Sequence, residues 1–281
     1  MVVRRDGAAI AVDVVGDENG IPVLFCHGLA DCRLSAHLFG AVASALGLAV
    51  VAPDRPGIGE SDLRPLTRLA DWAEDARAVL DALRVPSAAL LGISGGGPFA
   101  AASAAMLAGR VHALLLVSPL GDPSWGTSGM AAGERLSLAV ARRAPSFGGW
   151  FLGRLAVLAR LSPALFLPIA TSELPDVDRR ALARPAARDA FVAGYVEAFR
   201  RGSRGVAQDL RLLTRPWGFD LAAIRCPTWI HHGEADTTVP AGHARGFAAA
   251  IAGAHLQIHP GHGHFSLLPD TARAVLAPLV Q

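Results

Sequence analysis

Gly92-Ile93-Ser94-Gly95-Gly96 lies between an apolar run, Ala88 to Leu91, and a helix-like stretch from Phe99 to Leu107. A serine between strand and helix is a candidate nucleophile when the turn is sharp enough to lift its hydroxyl clear of the sheet. Such a turn strains the serine backbone, and residues two before and two after it must be small to avoid the neighbouring strand and helix. A Gly/Ser turn without chemistry has the same composition, so the pentapeptide alone leaves both readings open. A serine hydroxyl is a weak nucleophile at neutral pH. It needs a histidine to take its proton and a carboxylate to orient that histidine and stabilise its cation. His232 to Pro240 carries Glu234 and Asp236, Pro260 to Phe265 carries His262 and His264, and Asp122 follows the apolar run Ala113 to Val117.

The elements that must hold these residues can be read from the pattern around them. Pro22 to Cys26, Ala49 to Ala52, Ala88 to Ile93 and Ala113 to Val117 are short apolar runs ending at Gly, Pro, Asp or Ser, as buried parallel strands do. Leu66 to Leu83 interleaves charged residues with Leu69, Trp72, Ala76, Val79, Leu80 and Leu83 at helical spacing, which predicts an amphipathic helix. Strand patterns alternating with helices predict an α/β fold with a mostly parallel central sheet of about eight strands. Val2 to Arg5 and Ala8 to Val15 flank the turn dipeptide Asp6-Gly7, predicting an antiparallel hairpin at the sheet edge. From Gly121 to about Gly218 the alternation stops, and helical stretches are broken by Pro145, Pro163, Pro168, Pro175 and Pro185. The expected organisation is a core of residues 1–121 and 218–281 with a helical insertion at 122–217. Strand patterns return at Pro227 to His231 and Ala254 to His259.

Composition narrows the function. The 281 residues are 52% hydrophobic and 18% charged, enough apolar material for a substantial core and too much for a disordered chain. A net charge of +2 provides no strong field toward nucleic acid or an anionic membrane. All 26 basic residues are Arg, a bias read as genomic. The uncharged stretch Val85 to Gly109 reaches membrane-spanning length, but Pro86, Gly92, Gly95-Gly96-Gly97 and Pro98 interrupt it, so no membrane span is expected. Three cysteines, Cys26, Cys32 and Cys226, without disulfide or zinc spacing, and no secretory signal after Met1, lead to a cytoplasmic expectation. Gly95-Gly96-Gly97-Pro98 lacks a following Lys and a paired-Gly fingerprint, so no nucleotide cofactor is expected. His255, His259, His262 and His264 have no carboxylate or cysteine completing a familiar zinc spacing, so no metal is expected either.

With His27-Gly28 after the Pro22–Cys26 strand, Asp54-Arg55-Pro56-Gly57-Ile58-Gly59 after the next, and Gly-Ile-Ser94-Gly-Gly in place, the chain resembles the α/β-hydrolase superfamily. The resemblance covers nearly everything except the insertion. It implies the order Ser, acid, His and places Ser94 as nucleophile, Asp236 as acid and His264, at the end of Gly261-His262-Gly263-His264, as general base. It further implies an oxyanion hole from the backbone N–H groups of Gly95 and Leu29. Asp122 and Glu234 remain competing acids and His262 a competing base. His27 is read as structural, His231 and His232 as packing residues, Cys26 as buried and inert, and the 54–62 loop as structural. Phe147, Trp150, Phe151, Leu152, Phe166 and Leu167 either line an apolar acyl pocket or pack the insertion onto the core. The Arg179–Arg188 run is a solvated face or an attractor for acidic substrates.

Serine at position 94 favours acyl transfer, since an acyl-enzyme is released by water whereas a serine ether is not. The expected partner is a small ester-like or lactone substrate with an apolar part. Nucleic acid and membrane are not expected, and a homodimer is left open. Carbon–carbon bond hydrolysis, perhydrolysis and proline-iminopeptidase chemistry fit the same triad. A non-hydrolytic binding protein and a cofactor-free lyase or dioxygenase fit the same fold.

Overall fold

The computed structural model describes residues 2–3 and 6–280. In chain order the elements are β1 (Val2–Val3), β2 (Ala9–Ile10), β3 (Val12–Gly16), β4 (Ile21–Cys26), α1 (Gly40–Ala45), β5 (Leu48–Pro53), α2 (Trp72–Ala82), β6 (Ala88–Ile93), α3 (Gly96–Met106) and β7 (Val111–Val117). There follow α4 (Ala132–Arg143), α5 (Pro145–Leu161), α6 (Pro163–Ala170), α7 (Asp176–Ala183), α8 (Pro185–Ala198), α9 (Arg204–Leu213), β8 (Thr228–Gly233), α10 (Ala241–Ala250), β9 (His255–His259) and α11 (Leu267–Leu276). The main sheet has seven strands in the order β3-β5-β4-β6-β7-β8-β9. Only β3 runs antiparallel, against β5, and every other pairing is parallel.

The expected N-terminal hairpin is divided. β1 and β2 pair as a separate two-stranded sheet, Arg4 and Arg5 lie outside the described residues, and the second arm continues as β3 in the main sheet. The 54–62 loop accounts for the break. Ser61 Oγ accepts from Ala11 N at 2.9 Å and Asp62 Oδ2 from Ala9 N at 2.9 Å, and the Asp54 and Asp62 N–H groups donate to Ala11 and Ala9 carbonyls. Backbone groups tied to a loop are lost to a strand ladder.

Alternation along the parallel strands divides the core between two faces. Leu24, Cys26, Leu90, Leu114 and Leu116 face α2, α3 and α10, packing against Trp72, Phe99 and Phe247. Val23, Phe25, Ala89, Leu91, Leu115 and Val117 face the other way, onto Phe39, Ala43, Val275 and Leu276. The chain leaves β4 toward β5 on one side, while β6 lies on the other. A crevice therefore opens outside the carboxyl ends of β4 and β6, where ligands of open parallel sheets bind.

Helices α4 to α9 all fall between β7 and β8. Their exposed side chains correct the expectation of a pocket lining. Phe147, Trp150 and Phe151 are 55%, 51% and 51% exposed, with Phe147 stacked on Trp150, so this face of α5 points outward. Phe166 is buried and stacks on Phe191 and Tyr195, packing these helices together. In the Arg179–Arg188 run, Arg179 pairs with Asp176, Arg184 with Asp270 and Arg188 with Asp189 at exposed positions, a solvated face. Among the described residues no helix is long and apolar enough to cross a membrane, and Cys26, Cys32 and Cys226 are free thiols.

Candidate active site

Ser94 follows β6 with φ at 53°, a left-handed conformation that an L residue adopts only under constraint. The constraint is visible in the backbone bonds. Ser94 N donates to Val117 O at 2.9 Å, and Ser94 O accepts from Leu120 N and Gly97 N at 2.9 and 3.0 Å. The flanking glycines are required by space. A Cβ on Gly92 would lie 2.7 Å from Ala100 Cβ, and one on Gly96 would lie 2.0 Å from the Cys26 carbonyl oxygen.

Leu29, after β4, lies beside this turn. A Cβ on Gly95 would stand 3.0 Å from Leu29 N, and one on Gly28 would stand 3.8 Å from Ser94 Cβ. Among the described residues neither Leu29 N–H nor Gly95 N–H donates to a protein acceptor, whereas Gly28 N–H is held by Asp31 Oδ2 at 3.2 Å. Two neighbouring unpaired backbone donors beside a serine are what an oxyanion requires.

The loop carrying Leu29 is held by Arg55, fully buried at the end of β5. Its Nη1 donates to His27 O at 2.6 Å, its Nη2 to Gly28 O at 2.7 Å and its Nε to Asp209 Oδ2 at 2.9 Å. The guanidinium carbon also lies 4.5 Å from the Phe99 ring centroid. His27 is fully buried, with Nε2 accepting from Arg55 N. Burial and the Arg55 charge push its pKa well down, in keeping with a structural imidazole. Burial raises the Cys26 thiol to about 11, which leaves it protonated and unreactive at neutral pH.

Asp236, after β8, and His264, after β9, meet across the loops. His264 Nδ1 donates to Asp236 Oδ2 at 2.7 Å, while Asp236 Oδ1 accepts from Thr238 N at 3.0 Å and Val239 N at 2.8 Å. His232 Nε2 donates to Val239 O and lies 3.4 Å from Asp236 Oδ2. Burial opposes the Asp236 charge, but His264, His232 and the Val239 N–H outweigh it and hold the carboxyl below its usual range. At His264 burial favours the neutral ring, yet Asp236, Asp178 and Glu134 together outweigh it and raise the imidazole pKa above 6.5. With Nδ1–H committed to Asp236, Nε2 is the ring's free base. Ser94 Oγ makes no hydrogen bond among the described residues, so the serine–histidine link is open in this structure.

The competing residues lie elsewhere. Asp122 caps its own turn, accepting from Ser124 N and Oγ. Glu234 is exposed, and His262 Nδ1 is taken by Pro260 O at 3.0 Å. Of the histidine group, His231 and His259 bond to each other at 2.9 Å, and His255 stacks on Trp229.

Two carboxyl groups that act on the surroundings of His264 have no distinguishing signal in the sequence. Asp178 on α7 is fully buried and accepts from the backbone of the His264 loop. Its only sequence signal is an acid in the first turn of a short helix, indistinguishable from a dipole-complementing residue. Glu134 on α4 is the other. Burial raises its pKa, and His264, Glu173 and Asp236 are the charges it feels. A cavity of about 210 Å³ is lined by Leu120, Asp122, Arg135, Leu138, Arg142 and Leu213 among others, and by none of Ser94, Asp236 and His264. Leu120 bonds to Ser94 O, and Leu213 approaches Gly95.

These features meet in one family. Residues 21–271 match the profile of the alpha/beta hydrolase fold, and the chain belongs to that family of hydrolases. Among curated relatives it is 27% identical over 261 residues to a 2-hydroxymuconate semialdehyde hydrolase of Pseudomonas putida, covering 91% of this chain and 84% of that one. Among solved structures it resembles a thermophilic esterase from Thermogutta terrifontis at 22% identity and TM-score 0.71, covering 99% and 94% of the two chains. It also resembles an enol-lactonase from Burkholderia xenovorans LB400 at 18% identity and TM-score 0.69, covering 96% and 95%.

Proposed function

We propose that this hydrolase cleaves an ester or lactone bond through a Ser94 acyl-enzyme, with His264 as base and Asp236 as its orienting acid. The observation that carries the reading is the pair of unpaired N–H groups of Leu29 and Gly95 beside the left-handed Ser94. In this mechanism Ser94 Oγ attacks the carbonyl carbon as its proton passes to His264 Nε2. The carbonyl oxygen takes the negative charge and accepts from Leu29 and Gly95, a stabilisation of about 3 kcal/mol per donor. His264 then protonates the leaving alkoxide, and a water deprotonated by His264 releases the acid product. Ser94 Oγ and His264 Nε2 close to hydrogen-bond distance on binding, as catalytic bonds commonly tighten in the substrate complex. The helices of residues 122–217, all between β7 and β8, act as the cap.

A second reading, hydrolysis of a carbon–carbon bond next to a ketone, is favoured by the likeness to the 2-hydroxymuconate semialdehyde hydrolase. Turnover of short and medium chain p-nitrophenyl esters by wild type and Ser94→Ala separates the cases. Ester turnover lost with Ser94 supports the first reading. A folded wild type that is inert on esters but cleaves 2-hydroxymuconate semialdehyde supports the second.

A further inference from the structure

We infer that Asp178 is a positioning residue for the His264 base, setting the backbone of the loop that carries the imidazole. The inference rests on the reading of His264 as base. Asp178 Oδ2 accepts from His264 N at 2.8 Å, and Oδ1 accepts from Phe265 N at 3.0 Å, Ser266 N at 2.9 Å and Ser266 Oγ at 2.8 Å. Ser266 Oγ in turn accepts from Gly263 N at 2.8 Å. The carboxylate thus holds the backbone of three successive residues beginning with the base itself.

The approach is prepared from both sides. A Cβ on Gly263 would lie 2.3 Å from Asp178 Oδ2, so the loop has no side chain where the carboxylate enters. Asp178 is fully buried, and no cation pairs with it among the described residues. A carboxylate so buried is tolerated only when its lone pairs are filled, and here the donors of the His264 loop fill them. Joining α7 to the core needs an acceptor. A carboxylate also supplies charge, and imidazolium formation during acyl transfer is where that charge acts. The ionisable groups that face His264 are Asp236 after β8, Asp178 on α7, Glu134 on α4 and His232 on β8.

Asp178→Asn preserves shape, removes the charge and turns one of the two accepting oxygens into a donor facing an N–H of the His264 loop. The experiment measures kcat and KM for a p-nitrophenyl ester across pH, thermal unfolding, and the His264 ring titration by NMR. The expected result is a folded variant with kcat down about tenfold to a hundredfold, as misplacement of a catalytic group by a fraction of an ångström costs, and KM within about threefold. The acid limb of the rate profile and the His264 titration both move to lower pH. Wild-type kcat with an unshifted titration, any loss being confined to unfolding temperature, overturns the inference. Should Asp178→Asn not fold, Ser266→Ala removes one donor and keeps the charge. It is expected to lower kcat about threefold or more with KM held, and an unchanged kcat overturns the positioning role. His264→Ala that retains ester turnover overturns the base assignment itself. Loss of turnover in His264→Ala beside an unaffected Asp178→Asn overturns only the role of Asp178.

Discussion

The buried pair Arg55–Asp209 gives a stability prediction whose size follows from its surroundings. Both side chains have no solvent exposure, and their closest approach is 2.9 Å. Burial alone raises the Asp209 pKa, with the Arg55 charge and hydrogen bond opposing it, and Asp209 Oδ1 has no hydrogen-bond partner. The pair is therefore expensive to bury, and removing one member is worse because it strands the other. Asp209→Ala leaves the guanidinium in the core with the His27 and Gly28 carbonyls and the Phe99 ring but no counter-charge, at a cost of about 3–5 kcal/mol. For a chain of 281 residues that lowers the unfolding temperature by roughly 5–9 °C. Arg55→Met with Asp209→Leu removes both charges, and its cost falls short of the summed single changes by at least about 1 kcal/mol. Urea and thermal unfolding followed by circular dichroism measure all the variants. A drop under about 2 °C in Asp209→Ala, or costs that add within about 0.5 kcal/mol, would refute the claim that the two charges compensate each other.

Other expectations concern the acid and the pH profile. Asp236→Asn removes the charge that orients His264 and should lower kcat on the order of 10⁴-fold, while Asp122→Asn should change it little; steady-state kinetics with similar losses at both positions would remove Asp236 from its role. Because the base must be neutral and its pKa is raised above 6.5 by Asp236, Asp178 and Glu134 against the effect of burial, kcat/KM should rise with pH through a value above 6.5. A limb below that value would contradict the charge arrangement described.

The parts of the site legible in the sequence are those whose residue types are set by local backbone. Gly92 and Gly96 are legible because the turn at Ser94 admits nothing larger, and the strands around them because β-rich runs end at Gly, Asp or Pro. Asp236 and His264 sit at strand ends, the positions a parallel sheet presents to its crevice. The mostly parallel sheet and its helical layers follow from the same alternation, although the main sheet has seven strands where about eight were expected, because β1 and β2 pair apart from it. What was not legible depends on contacts between distant segments. Asp178 lies 86 positions from His264, and Asp209 lies 154 from Arg55. In both cases neither neighbourhood names the other. Phe147, Trp150 and Phe151 had an apolar character that invited a pocket reading, but α5 buries its small residues, Gly149, Ala156 and Ala159, and turns these aromatics outward. Periodicity marks a face without telling which way it points.

The contact of Asp178 with the His264 loop, together with that of Asp209 with Arg55, bears on how this scaffold can be re-engineered. Both carboxylates belong to the segment between β7 and β8, yet each ends in the main α/β body, one at the His264 loop and one at Arg55. Exchanging residues 122–217 for the corresponding segment of another hydrolase would remove both at a stroke. A functional graft therefore has to keep Asp178 and Asp209 as part of the recipient, and the exchanged piece belongs ahead of both, within residues 145–170, instead of running to the segment's ends.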